Sequence, residues 1–485
     1  LKQNSSDSDY NSLLKVLNKR VGLEKKPEVL ALIRNPSSVT SLEQLLCISS
    51  GTHNSEPTNV TKTLKHLKAE FNKAVPEDLE TKLERIVNQT KQNYQQEFKH
   101  YVELKGGLCQ NSTSPMDLTE LAKGFLESPK RVLLVMGDPG SGKTLFAKKL
   151  SVELFGFSKY LPVYVYLPYI IKPGKNFQDG ILQVNGLESN KQELETRPVV
   201  FICDAFDEVN LKVNFLKVKD TFQVYKKAKW VFLCRTYYAS GVGLKTFSPF
   251  YAEKYFHNLR KDVYIQALTQ KKIHKLLTSL KELPRDPQEY YDFIVRNQEL
   301  LYLCRTPLVV NLVVQAYEKL KLLTTFNLYE VYRNFTLSFY EKGKCSLDRI
   351  DNFVSELAFE MTIKNKEFIN KKDKNKTLYV SSFFEPEYKE LKKGCLLRPN
   401  KKKDYIFLHK SIKEYYYCHK ILPNQLLVSE DLSDFYSYKD TITECLNVYS
   451  IVKEKNILEF FKSMVVSNKN LQKILFEIVL DSTCE

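Results

Sequence analysis

The chain has 485 residues, too many for one hydrophobic core, and roughly three or four domains are expected. Its hydrophobic content of 43% and aromatic content of 12% are ample for packed interiors, and no apolar run approaches the ~20 residues of a membrane span. Lys and Arg number 73 against 57 Asp and Glu, a net charge of +16. Such an excess suits nucleic acid, an acidic partner or an anionic membrane surface, but it sits in local runs, Lys364–Lys376 and Asn400–Asp404, that read as solvated loops.

The ten cysteines are scattered, with no C-x-x-C and no short Cys/His cluster. That pattern speaks against a disulfide or zinc framework and for a reducing compartment. The first residues, LKQNSSDSDY, are polar and lack a signal-peptide core, so a cytoplasmic protein is expected. Starting at Leu rather than Met, the chain reads as a fragment.

In chain order, the start is polar, with short helical pieces at Leu13–Val21, Val29–Ile33 and Leu42–Cys47. Val60–Ala74 has helical spacing. From Leu79 an apolar face runs through Leu83, Ile86, Tyr94 and Phe98 to Tyr101 and Val102. Residues 1–99 are thus expected to form a helical region, an effector domain or a packing arm. Gly106-Gly107 and Asn111–Pro115 read as a linker. Asp117 is a candidate N-cap for a helix through Glu127.

Val132–Met136 is a continuous apolar run, a strand buried on both faces. Gly137-Asp138-Pro139-Gly140-Ser141-Gly142-Lys143-Thr144 follows and fits G-x-x-x-x-G-K-[ST]. Leu145, Phe146 and Leu150 then open a helix. Glycines let backbone N–H groups line one anion-sized hollow, and the helix N-terminus adds partial positive charge. Lys143 supplies a full charge for β- and γ-phosphates, and Thr144 a hydroxyl for Mg²⁺.

Further strands are predicted at Tyr160–Leu167, Pro198–Cys203, Lys229–Cys234 and Lys261–Ile265, alternating with helices. The fold class expected is an α/β P-loop domain: a parallel sheet with helices on both faces. The strand VVFICD ends in Asp204, placed to hold Mg²⁺ through water. Asp207 and Glu208 follow, either to polarise a water against the γ-phosphate or to cap the next helix. Arg235 ends the strand KWVFLCR and is either a γ-phosphate sensor or a surface arginine. From Gln266 onward the pattern is all helix: Lys271–Leu280, Pro287–Leu303, Pro307–Leu320, Asn327–Tyr340, Asp348–Asn365, Ser411–Ile421 and Leu432–Leu480. One short strand, Asp404–Leu408, interrupts it.

The DAFDE pattern, some 60 residues after a P-loop, resembles the NACHT branch of the STAND signalling ATPases, which contains the NOD-like receptors. Ala205 is the small residue after the acidic Asp204, and Asp207-Glu208 is the acidic pair. HYVEL (His100–Leu104) is similar to the segment that precedes this domain, and CRTPLVV (Cys304–Val310) resembles the helical-domain proline motif. YIFLHKSIKEYYYCHKI (Tyr405–Ile421) looks like the winged-helix motif F-x-H-x-S-[FIL]-x-E-[FY]. Cys234-Arg235-Thr236 stands where the family more often has Ser-Arg.

The resemblance spans about 101–422. It implies a nucleotide-binding domain at 100–265, a helical domain at 266–325, a winged-helix domain at 326–424 and a further helical region at 425–485. It also implies that Tyr101 and Pro307 flank the base, and that His409 touches the β-phosphate of ADP. The function implied is a signalling switch of the innate-immune kind, closed with ADP, open and self-associating with ATP, and hydrolysing slowly with Mg²⁺. Leucine-rich, WD and ankyrin repeats are missing, so any sensor is of another kind or lies outside the chain. Two alternatives stay open: a nucleic-acid-dependent ATPase motor, prompted by the charge, and an ADP-binding scaffold without hydrolysis.

Overall fold

The computed structural model describes residues 77–170, 177–208, 224–236, 259–340 apart from 281, 347–371 apart from 365, 378–385, 396–399, 404–422 and 455–466, with a few isolated positions besides. The helical pieces expected before residue 77, most of the two lysine runs and most of Leu432–Leu480 lie outside them. The described residues fall into two compact units, 77–84 with Glu188–Glu193, and Arg85–Leu187 with the residues from Leu194 onward. In the smaller unit the Asn190 amide donates to the Glu77 carbonyl at 2.8 Å and to Glu193 Oε1 at 3.0 Å.

The larger unit is built on a seven-stranded sheet, ordered β2-β1-β7-β3-β6-β5-β4. The strands are β1 Lys105–Gly107, β2 Met116–Asp117, β3 Val132–Gly137, β4 Leu161–Tyr166, β5 Val199–Asp204, β6 Lys229–Arg235 and β7 Arg260–Ile265. Strands β3 to β7 are mutually parallel. The three central strands β3, β5 and β6 are buried along their whole length and largely apolar because both faces are covered. On one face Leu133, Val135, Val200, Ile202, Val231 and Leu233 join Phe146, Ala147, Leu150 and Leu154 of the P-loop helix, Lys143–Leu154. The other face carries aromatic rings: Trp230 stacks on Phe201 at 4.4 Å and on Phe232 at 6.1 Å.

Two expectations about this domain need correcting. The sheet is not wholly parallel, and Gly106-Gly107 is not a linker. Both glycines lie in β1, which pairs antiparallel with β7 and β2. The reason is steric. A Cβ on Gly106 would lie 2.7 Å from Val263 Cγ1, 2.8 Å from Leu121 Cδ1 and 2.9 Å from Leu118 Cδ1, so any side chain there would force these neighbours to shift. Asp117 then caps the helix Leu118–Glu127, accepting from Thr119 N at 2.9 Å and Glu120 N at 3.3 Å.

Beyond β7 the described residues are mostly helical, around a second core. Its helices include Gln270–Ser279, Pro287–Arg296, Gln298–Leu303, Pro307–Leu320, Leu328–Tyr340, Leu347–Ile363, Lys410–Ile421 and Lys455–Val465. Pro287–Leu303 is therefore two helices, because Asn297 is extended and its amide closes the first by donating to the Phe293 carbonyl at 2.7 Å. A hairpin of β8 Leu397–Pro399 and β9 Tyr405–Phe407 precedes Lys410–Ile421. The lysine run at 364–376 is not all loop either. Ile369 inside it is fully buried and exchanges both backbone hydrogen bonds with Tyr405, at 2.9 Å each.

Gly106→Ala is expected to destabilise this unit by about 1–3 kcal/mol through overpacking. Urea denaturation checks it, and an unchanged midpoint would contradict the steric reading.

Candidate functional site

Strand order decides what meets at the sheet edge. β6 lies between β3, which feeds the phosphate-binding loop, and β5, which ends in Asp204. β3 and β6 run in register, with Gly137 opposite Arg235. The end of β6 thus delivers Arg235 between the loop and the acidic turn. The chain continues from β3 to β4 on one side and from β6 to β7 on the other, so the C-terminal edge opens a crevice between β3 and β6.

The loop is built for an anion. Gly140 and Gly142 take φ of +73° and +94°, the left-handed region that turns successive N–H groups inward. Lys143 Nζ donates to the carbonyls of Gly137 and Asp138, at 2.8 and 2.9 Å, and no carboxylate lies within ion-pair distance among the described residues. Burial lowers its proton affinity, with Asp207 opposing. The Ser141 hydroxyl is buried without a hydrogen-bond partner. An ammonium held only by carbonyls beside a buried hydroxyl without a partner offers the donors a phosphate takes, so the residues fit the group.

Thr144 lies beside Asp204, whose carboxyl burial raises above its ordinary value. A hydroxyl and one carboxylate, completed by water and phosphate oxygens, suit Mg²⁺. Ala205 then adopts φ +59°. That left-handed turn, disfavoured for any residue with a Cβ, brings Asp207 and Glu208 back toward β6.

The acidic pair is divided. Asp207 Oδ1 accepts from Arg235 N at 3.0 Å and Oδ2 pairs with Arg235 Nε at 3.0 Å. Burial would raise its pKa, but Arg235, Lys410 and Lys143 outweigh it and hold Asp207 below its usual range. Glu208 accepts from the Tyr166 hydroxyl at 2.8 Å. Burial, with Glu367 nearby, pushes its carboxyl up to about 7. The other arm of Arg235 reaches the helical part of the unit, where Nη1 meets Glu414 Oε1 at 2.6 Å with only 3% of the Glu414 side chain exposed.

His409 is the N-cap of the helix bearing Glu414. Its Nδ1 accepts from Ser411 N at 3.1 Å and lies 2.6 Å from Ser411 Oγ, which leaves Nε2 to carry the proton. Burial, with Arg235 and Lys143 next in weight, pulls its pKa down to about 3. The ring is therefore neutral near pH 7 and stands in the field of the loop lysine. Leu308, next to Pro307, donates its N–H to the Gly140 carbonyl at 3.3 Å and packs its side chain over that glycine. Tyr101 packs against the domain core under Lys149, 4.9 Å from the ring centre. Its neighbour His100 pairs with the Ser279 carbonyl.

The loop, Asp204, Asp207, Glu208 and Arg235 thus converge at one sheet edge, with Leu308 on the loop and the charges of Lys143 and Arg235 acting on His409. Sequence reasoning missed Tyr164, Tyr166, Lys410 and Glu367, and gave Glu414 no role. The alternation Tyr-Val-Tyr beside the Asp204 strand is the one signal that could have found the two tyrosines.

No family model matches the chain, and no curated protein matches its sequence. Among solved structures it is similar to the crystal structure of Cdc6p from Pyrobaculum aerophilum, with 15% identity and a TM-score of 0.28, over 62% of this chain and 90% of that one. A likeness that distant carries no functional weight. Among the described residues no helix is long and apolar enough to cross a membrane, and no cluster of three or more His, Cys, Asp or Glu could hold a metal by itself.

Lys143→Ala is expected to weaken nucleotide binding by about 2–5 kcal/mol, the cost of deleting one partner of a buried charge pair. Calorimetric titration with ADP measures it, and unchanged affinity would remove the loop from the site.

Glu208 binds its proton more tightly folded than unfolded, so its contribution is fully present below pH 4.5 and lost as pH rises to about 7. His409 has the opposite sign: it disfavours its proton when folded, and its contribution is lost as pH falls from 6.5 toward about 3. Glu208→Gln should therefore change stability relative to wild type more favourably at pH 7 than at pH 5. Urea denaturation at both values tests this, and an equal offset would refute it.

Proposed function

We propose that this chain is an ATP/ADP-operated conformational switch with slow Mg²⁺-dependent hydrolysis, of the NACHT-type STAND class that its motifs resemble. The observation that carries the reading is the guanidinium of Arg235, shared between Asp207 beside the loop and Glu414 on the helix Lys410–Ile421. A γ-phosphate arriving next to Arg235 competes with Glu414 for the same donors. The carboxylate that can leave is the one outside the sheet domain. Nucleotide identity is thereby coupled to the placement of the helical part, which is what a differential-affinity switch requires.

In this reading residues 266–325 form a helical module and 326–424 a winged-helix module closed over the nucleotide. The backbone N–H groups from Gly137 to Leu145 and the Lys143 ammonium hold the phosphates. Thr144 and Asp204 hold Mg²⁺, which when bound offsets phosphate charge. Neutral His409 donates its Nε2 proton to the β-phosphate of ADP, and Tyr101 and Pro307 flank the base. Glu208 accepts the proton of the attacking water once opening frees the acidic turn, because its raised pKa suits a general base near neutrality. The open form, relieved of the Arg235–Glu414 pair, self-associates.

The test compares wild type, Glu414→Gln and His409→Ala by co-purifying nucleotide and by size-exclusion chromatography in ADP and in a non-hydrolysable ATP analogue. Wild type is expected to retain ADP and elute small. Both variants should release ADP about tenfold faster, a change of ~1.4 kcal/mol, and elute as a larger species with the analogue. Identical retention and elution for all three proteins would defeat the switch. Turnover stimulated by DNA or RNA with steep salt dependence would instead favour a motor.

A further inference from the structure

β4 closes one end of the sheet and runs parallel to β5, with Tyr166 in register with Asp204 and Tyr164 with Ile202. Two residues apart on a strand, the two phenols leave the same face. The Tyr164 hydroxyl donates to Asp204 Oδ2 at 3.0 Å, and the Tyr166 hydroxyl to Glu208 Oε2 at 2.8 Å. Burial, reinforced by those carboxylates, raises both phenol pKa values well above the ordinary range, so both remain donors at any working pH. Lys148 lies 5.9 Å from the centre of the Tyr164 ring and donates to the Tyr94 hydroxyl at 2.7 Å.

A carboxylate rotates about its last bond unless donors fix both oxygens. Asp204 has one oxygen fixed by the Tyr164 hydroxyl, with Thr144 close by. Glu208 sits at the end of a flexible side chain and has the Tyr166 hydroxyl to set its direction. We propose that Tyr164 and Tyr166 are positioning residues, Tyr164 setting the Asp204 carboxylate for Mg²⁺ beside Thr144 and Tyr166 setting Glu208 for the attacking water. The assignment rests on reading the site as one for Mg²⁺ and a nucleotide. It extends that reading by giving the two carboxylates separate supports, hence separable losses.

The experiment uses the full chain with Tyr164→Phe, Tyr166→Phe and, as a hydroxyl-deletion control nearby, Tyr94→Phe. Binding of a non-hydrolysable ATP analogue is titrated against Mg²⁺, and ATP turnover is measured at saturating Mg²⁺. Tyr164→Phe is expected to raise the half-saturating Mg²⁺ concentration at least tenfold, the scale of a lost outer-shell partner, with the other two unchanged. Tyr166→Phe is expected to lower kcat about tenfold with KM unchanged, as loss of a purely transition-state contribution does. Tyr94→Phe should alter neither readout, and melting temperatures accompany every variant.

A wild-type Mg²⁺ midpoint in Tyr164→Phe together with a wild-type kcat in Tyr166→Phe overturns the assignment. Equal losses in all three variants, tracking their melting temperatures, also overturn it, because the hydroxyls would then be structural alone. If one variant does not fold, the other decides by its own readout. A wild type whose nucleotide binding ignores Mg²⁺ would instead sink the site reading, and the tyrosine assignment with it.

Discussion

The structure depends on one buried cation. Arg235 stands at the end of a fully buried strand, and its guanidinium is divided between a carboxylate of its own domain and one from a helix 179 residues further on. Taking an arginine out of water is tolerable only when its donors are matched, and removing one partner of such a pair typically costs ~3–5 kcal/mol. The arrangement follows from strand order. Because β6 is inserted between β3 and β5, its last residue has no alternative to the crevice between loop and acidic turn.

The same juxtaposition sets the electrostatics of everything nearby. Lys143, Arg235 and Lys410 face Asp204, Asp207 and Glu208, but the pairing is uneven. Asp207 gains most from the cations and stays ionised, while burial, with Glu367 as a neighbour, raises Glu208 to about 7. Glu367 is itself matched by Lys413 at 2.9 Å, a pair inside the helical part. His409 is kept neutral by burial, reinforced by the cations around it, and its ring is anchored through Ser411, which also meets the Tyr332 hydroxyl at 2.7 Å. Two acids adjacent in sequence thus shift in opposite directions, Glu208 upward mainly through burial and Asp207 downward through the cations that outweigh its burial.

Much of this was legible because it is local. The apolar runs of β3, β5 and β6, the glycine-lysine loop and the Asp117 cap are each fixed by residues within one turn or strand. What was not legible depends on distant steric or charge partners. Gly106 looked like a linker because nothing nearby says that Val263, Leu118 and Leu121 leave it no room. Asn297 broke a helix that its apolar spacing would have continued. Ile369 was hidden among lysines, although its backbone completes a bridge to Tyr405. The functions of Tyr164, Tyr166 and Glu414 were invisible for the same reason: a tyrosine on a strand or a glutamate on a helix acquires a role only from the carboxylate or guanidinium opposite.

The aromatic face of the sheet has a practical consequence. Trp230 is the single tryptophan of the chain, and it lies fully buried between Phe201 and Phe232. Intrinsic indole emission is therefore a label that reads the interior of the sheet and little else. Its colour and intensity report loss of the sheet, whereas rearrangements of the later helices that leave the sheet intact leave the indole emission unchanged.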